Sequence, residues 1–286
     1  MEIRTTMSTS VHPPQQQPLP EPEPELQSEA RSEAQPELQS ELRSEAQTEA
    51  EPRSTAAAPH ILDNPAWAAL TGPHSRFAER AGLAARYPTD VSPFTAVADS
   101  ADPRAWDDLV TLVGPDTLVP VSGATELPDG WEIVRRGQGV QLVDTALRAE
   151  PDPEAVRLTP GDVPEILDLI ARTEPGPFLP RTIELGTYLG IRRDGRLVAM
   201  AGERLRPPGW TEISAVCTDP GHRGQGLATR LVRAVAAGIR DRGDTPFMHA
   251  SAANTGAIRL YESIGFTQRR RPAFLLVRTP GGAVSR

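Results

Sequence analysis

A mixed α/β fold behind a low-complexity N-terminal tail is what this sequence predicts, and three observations carry that reading. Residues 25–52 repeat a four-residue unit seven times: Glu, then Leu or Ala, then a polar residue, then Ser, Pro or Thr. From about His60 the pattern changes to short apolar runs alternating with helix-period stripes. Beyond a Pro/Asp-rich joint at residues 150–153 the order of expected elements is β-α-α-β-β-β-α-β-α-β-β. The expected organisation is a disordered tail at 1–58, a small α/β half at 59–150 and a second domain at 154–286.

The tail holds eleven Glu and four Arg, so it carries 4 − 11 = −7 of the formal charge of −8. With no aromatic and little apolar mass it cannot offset the entropy of folding. The remaining residues carry about −1 by subtraction, so neither an acidic partner nor a nucleic-acid surface is implied. All 30 basic residues are Arg. Cys217 is the only cysteine, which excludes an internal disulfide and fits a reducing, cytoplasmic setting. The first residues lack an apolar signal core, and no run approaches a membrane span, so neither export nor membrane association is expected.

In the first half, Asn64-Pro65 starts a short helix with Trp67 and Leu70, and residues 94–97 read as a strand. Asp102-Pro103 is an N-cap with Pro at the first helical position, followed by a stripe of Trp106, Leu109, Val110 and Val113. Residues 118–121, 131–134 and 140–142 read as short strands. Gly137-Gln138-Gly139 then reads as a hairpin turn between the last two.

The second half opens with a strand at 156–158 and a helix carrying Val163, Ile166, Leu167 and Ile170. A proline-rich loop at 174–180 and a short helix at 181–185 follow. Strands at 188–192 and 197–203 flank Asp194-Gly195, a hairpin signal. A strand at 210–218 ends at Asp219-Pro220. The basic glycine turn comes next, and then a helix with Leu227, Leu231, Val232, Val235 and Ile239 on one stripe. A strand at 247–250, a helix from Asn254 through Tyr261 closed by Gly265, and a final hairpin of 267–271 with 273–277 complete the chain.

The strand–turn–helix at 210–239 is how a backbone offers free N–H groups to a phosphate. The first helical N–H groups have no internal partner, and the helix dipole adds partial positive charge there. Gly224 and Gly226 allow close approach of an anion, and Arg223 adds a charged fork.

Two motifs together carry a resemblance. Arg223-Gly224-Gln225-Gly226-Leu227-Ala228 fits Arg/Gln-x-x-Gly-x-Gly/Ala. Asn254 with Ala257, Tyr261 and Gly265-Phe266 fits Asn-x-x-Ala-x-x-x-Tyr-x-x-x-Gly-Phe. With a strand ending Ala215-Val216-Cys217, they make residues 154–279 resemble the GNAT superfamily of acyl-CoA-dependent N-acyltransferases, in shape its glycine-N-acyltransferase-like branch. The resemblance implies a twisted, mostly antiparallel sheet with helices on both faces. It also implies that residues 60–150 are a degenerate second copy. The implied activity is transfer of an acetyl group from acetyl-CoA to a primary amine, small molecule or peptide, by direct attack in a ternary complex and without a metal. A longer acyl donor, or a non-catalytic acyl-CoA sensor, are the rival readings.

By that resemblance the pyrophosphate of acetyl-CoA lies on the N–H groups of Arg223, Gly224, Gln225, Gly226, Leu227, Ala228 and Thr229. The pantetheine arm pairs with the edge of Ala215, Val216, Cys217 and Thr218. The N–H of Val216 would face the thioester oxygen and stabilise an oxyanion. Asn254 would bond the arm, although it equally fits a plain N-cap. Tyr261, two helical turns on, would protonate the departing thiolate; a buried core tyrosine is the plainer alternative. For the base, Glu212 is the first candidate, with Glu203 and His249 behind it, each also readable as a strand residue with no chemical part. An acyl-Cys217 route is disfavoured because no activating His/Asp pair is visible. Arg269, Arg270 and Arg271 could draw a carboxylate of the acceptor, or simply be a solvated turn.

Overall fold

The computed structural model describes residues 59–281 except Gly123, Thr125 and Glu126. The expectation for the tail falls outside the described residues. In the N-terminal half, α1 (Pro65–Leu70) is capped by Asn64, whose Oδ1 accepts from the Trp67 N–H. Strands β1 (Glu79–Ala81), β2 (Ala84–Arg86) and β3 (Thr95–Val97) follow. Then α2 (Pro103–Val113) starts on its Asp102 cap, and β4 (Leu118–Ser122) and β5 (Glu132–Asp144) complete the half. The C-terminal half runs β6 (Val156–Arg157), α3 (Val163–Thr173), β7 (Tyr188–Arg193), β8 (Arg196–Glu203), β9 (Trp210–Thr218) and α4 (Leu227–Asp241). It ends with β10 (Thr245–Ser251), α5 (Thr255–Ser263), β11 (Phe266–Arg270) and β12 (Ala273–Arg278).

Among the described residues all twelve strands join in one sheet, ordered β1-β2-β3-β4-β12-β5-β10-β9-β8-β7-β6, with β11 also on β5. Pairing is antiparallel except for β3 with β4 and β9 with β10. Each parallel pair is joined by a helical crossover, as parallel strands require. Leu231, Val235 and Ile239 of α4 pack on Ala199, Ala201 and Ile213. Ile166 and Leu169 of α3 pack with Met200 and Cys217 instead. Alternation along β8 therefore puts the two helices on opposite faces. The β7–β8 hairpin turns at Asp194 and Gly195, both with positive φ, as its sequence signal requires.

Two local expectations are corrected. Gly137-Gln138-Gly139 is not a turn; it lies within the 13-residue strand β5. A Cβ on Gly139 would sit 2.6 Å from the Phe274 ring, so the glycine admits a neighbouring side chain, not a bend. The expected final hairpin is also absent, since β11 and β12 do not pair with each other. Both run antiparallel along β5, β11 against 141–144 and β12 against 132–138.

The boundary expected at 150–154 does not divide these residues, which form one unit. The C-terminal half of β5 lies between β10 and β11, and β12 lies between β4 and β5. Each half thus completes its sheet with a strand from the other. The chain passes from α5 to β11 through Gly265, at φ +111, where a Cβ would meet the Ala146 carbonyl carbon at 2.4 Å. Gly265→Ala is expected to cost about 3 kcal/mol or more, from clash and left-handed strain together, read as a lower urea midpoint.

Candidate active site

The site grows from a defect in β9. Residue pairs run Met200 with Cys217, then Gly202 with Ser214, so β9 carries one more residue than β8 across that interval. The extra residue is a bulge, with Ala215 at φ +52. On its other edge β9 pairs with β10 only as far as Ile213 with Met248. Ala215 and Val216 consequently have no residue opposite them on either neighbouring strand. The two parallel strands diverge here, opening a wedge lined by backbone.

Beyond the wedge, Asp219 Oδ1 accepts from the Gly221 N–H at 3.0 Å and Arg172 pairs with the same carboxylate. Arg223 Nε donates to the Thr218 carbonyl at 3.3 Å. Gly224 and Gly226 have φ of +78 and +72, and nothing lies within 4 Å of a Cβ built on either. Gly226 caps α4 without any side-chain hydrogen bond. The N–H groups of residues 224–229 have no main-chain acceptor among the described residues. Six donors, a helix start and an empty approach make a cradle that suits a diphosphate. Arg230 in the next turn is occupied, held by Asp152 and Glu154 of the joint.

On α5, Asn254 Oδ1 accepts from the Ala257 N–H at 3.1 Å, so it is an N-cap whose amide nitrogen remains available. Tyr261 is buried in the cluster against which Val216 packs. Burial first, and the neighbouring Cys217 second, push its hydroxyl up to about 12. It therefore keeps its proton at neutral pH and can donate it. Cys217 faces the α3 side, away from Val216, and burial pushes its thiol up to about 11. A protonated, buried thiol is a poor nucleophile.

Glu212 is placed differently from the expectation of a free base. Its side chain is wholly buried. Arg204 grips both carboxylate oxygens at 2.7 and 2.8 Å, and His249 Nδ1 lies 2.8 Å from Oε1. Burial alone would raise its pKa; the Arg204 charge and hydrogen bonds, then His249, outweigh that and bring it down to about 2. Such a group holds a fixed charge and has little affinity for a proton.

Glu203 stands 2.8 Å from Arg242 at the far end of α4. There it lines a cavity of about 390 Å³ with Arg76, Arg157 and Arg206. A helix of this length spans about 22 Å, which sets Glu203 well away from the glycine turn. Arg269 and Arg270 are both bound to Asp63, which leaves Arg271 as the exposed member of the three. The 174–180 loop anchors through Phe178, whose ring meets Tyr188 edge-on at 5.3 Å.

Arg204, Gln141 and Asp63 are the site neighbours that sequence reasoning missed. Gln141 had a signal, being a lone polar residue inside the apolar run Val140 to Val143. Among the described residues no cluster of His, Cys, Asp and Glu suits a metal ion, and no helix is long and apolar enough to cross a membrane.

Comparison with known proteins agrees with this geometry. The family model FR47-like protein matches residues 188–275. A GNAT-family structure from Novosphingobium aromaticivorans is 40% identical, covers 77% of this chain and 98% of its own, and superposes with a TM-score of 0.69. N-alpha-acetyltransferase RimI of Mycobacterium tuberculosis is 31% identical over 140 residues, 44% of this chain and 87% of that protein. A mycothiol acetyltransferase of Thermomonospora curvata is 36% identical over 102 residues, 35% of this chain and about a third (33%) of that protein's length. With a bulged strand, a glycine turn at a helix start and full-length likeness to the Novosphingobium structure, the chain belongs to the GNAT family.

Proposed function

We propose that the protein is an N-acetyltransferase moving an acetyl group from acetyl-CoA to a primary amine. The carrying observation is the row of six free N–H groups at residues 224–229, which follows the bulge at Ala215 and Val216 beyond the end of the β9–β10 ladder. In this reading the turn from Arg223 to Thr229 holds the pyrophosphate. The 215–218 edge and the free amide of Asn254 hold the pantetheine arm. The Val216 N–H stabilises the tetrahedral oxyanion. Tyr261 passes its proton to the departing thiolate. Glu212 is the fixed negative charge beneath the wedge, and the amine's proton leaves to water. A lone buried cysteine and an acyl-CoA co-substrate both fit a cytoplasmic enzyme.

Two relatives are named as acetyltransferases, one of them an N-alpha-acetyltransferase, so peptide α-amino groups and small amines head the acceptor panel. We further infer membership of the glycine-N-acyltransferase-like branch, with residues 60–150 a degenerate copy. In support, β3–α2–β4 repeats the parallel crossover of β9–α4–β10. In the first copy, the Asp102 side chain already takes the Arg104 N–H, where the second leaves its helix start uncapped.

The test is calorimetry with coenzyme A, then thiol release from acetyl-CoA across the panel. Binding with turnover supports the reading. Binding without turnover on any donor would make the protein a sensor, and turnover only with longer thioesters would change the donor. No heat of binding would remove the reading altogether.

A further inference from the structure

A continuous line of polar groups, buried at Glu212 and Gln141 and half-buried at Arg269 and Asp63, passes under the wedge from one half of the molecule to the other. Arg204 donates to both oxygens of Glu212, and His249 Nδ1 faces Oε1 of the same carboxylate at 2.8 Å. His249 Nε2 lies 3.0 Å from Gln141 Nε2. Gln141 Nε2 also donates to the Leu62 carbonyl at 2.8 Å, while its Oε1 accepts from Arg269 Nη1 at 2.7 Å. Arg269 Nη2 then donates to Asp63 Oδ1 at 2.7 Å. Asp63 Oδ2 accepts from the His60 N–H at 2.9 Å, which closes the line on the N-terminal segment.

Its polarity is forced. A guanidinium only donates, so the Gln141 atom facing Arg269 is the amide oxygen. The amide nitrogen then gives one hydrogen to Leu62 and aims the other at His249 Nε2. That ring nitrogen must accept, so the single ring proton sits on Nδ1 and is donated to Glu212. A second proton on Nε2 would point at the amide hydrogens of Gln141. The Phe247 and Phe274 rings close the imidazole in at 5.7 and 5.8 Å, which leaves little freedom to turn away.

We propose that Asp63, Arg269 and Gln141 are positioning residues through which the N-terminal half fixes the Nδ1–H tautomer of His249 and, by it, the Glu212 carboxylate beneath the acyl-transfer wedge. Its kinetic consequence rests on the acetyltransferase reading; the tautomer does not. Interruption at Asp63 frees Arg269, lets the Gln141 amide rotate, and removes the donor that keeps a second proton off Nε2, while Glu212 still holds the proton on Nδ1. No atom of these three residues is asked to exchange a proton with substrate.

The test is nitrogen NMR of the full-length protein labelled on histidine, with the His249 signals assigned through His249→Asn. The wild type is expected to show an unprotonated Nε2 and a protonated Nδ1. Gln141→Glu replaces the donor by an acceptor and, with Glu212 still accepting from Nδ1, should leave both ring nitrogens protonated. Asp63→Asn should give a mixture of rings with and without a second proton on Nε2, and a kcat lowered about tenfold, with the KM for acetyl-CoA within about twofold; Asp63→Glu should restore both. A proton on Nε2 in the wild type, or ring shifts indifferent to Gln141→Glu and Asp63→Asn alike, would overturn the proposal. Should Gln141→Glu not fold, the Asp63 pair decides. A wild type without turnover would sink the acetyltransferase reading, and the nitrogen shifts would still settle the tautomer.

Discussion

Tyr261→Phe is expected to lower kcat by two orders of magnitude or more while leaving coenzyme A affinity within about twofold. General acids contribute about 10²- to 10⁴-fold. The phenol is the only group we place where it can meet a departing thiolate, and burial keeps it protonated to about 12. Loss of the proton donor should therefore appear in turnover and not in ground-state binding. Stability should barely change, because the ring and its packing in the core cluster are retained. Steady-state kinetics with calorimetry on the same preparation checks all three statements. A Phe variant with undiminished turnover would return Tyr261 to the core and nothing more.

Arg204→Met is expected to be the most destabilising single change in the site, about 3–5 kcal/mol, because it strands a wholly buried Glu212 without its charge partner. Arg204 also lies over the Phe94 ring at 4.9 Å, so the variant loses a contact to the N-terminal half as well. The double variant Arg204→Met with Glu212→Leu should recover most of the loss, since no charge is then left buried. Urea midpoints of the two variants measure the difference. The pH dependence follows from the same pair. Unfolded, Glu212 releases its proton near the ordinary value of 4.5; folded, near 2. Its contribution is therefore full above about 4.5 and drains away as pH falls towards 2. In the double variant that acid limb should flatten.

What could be read from the chain alone was local. The glycine turn, the Asn254 to Tyr261 spacing and the Asp102 cap are signals contained within a dozen residues, and each stands where the sequence put it. The Ala215 bulge was not legible, because propensity places no alanine at positive φ; the wedge around it imposes that geometry. Glu212 was legible as a strand carboxylate, but not its partner Arg204, which faces it across the loop joining β8 to β9. Gly137 and Gly139 looked like punctuation because Phe274, the reason for the second of them, lies 135 residues further on. For the same reason β11 and β12 passed for a hairpin: Arg271-Pro272 interrupts a strand whose partner is β5, and no local pattern announces a partner so distant.

The reciprocal strand exchange sets a timetable for biosynthesis. β4 is synthesised long before β12, yet its outer edge finds its neighbour only when residues 273–278 have left the ribosome. Until then a nascent chain presents an open ladder edge carrying Leu118 and Val119, the kind of surface that recruits stray strands. Neither half can finish ahead of the other. Pairings this far apart in sequence close late and slowly, and a chain stopped short of β12 leaves the first half unfinished as well as the second.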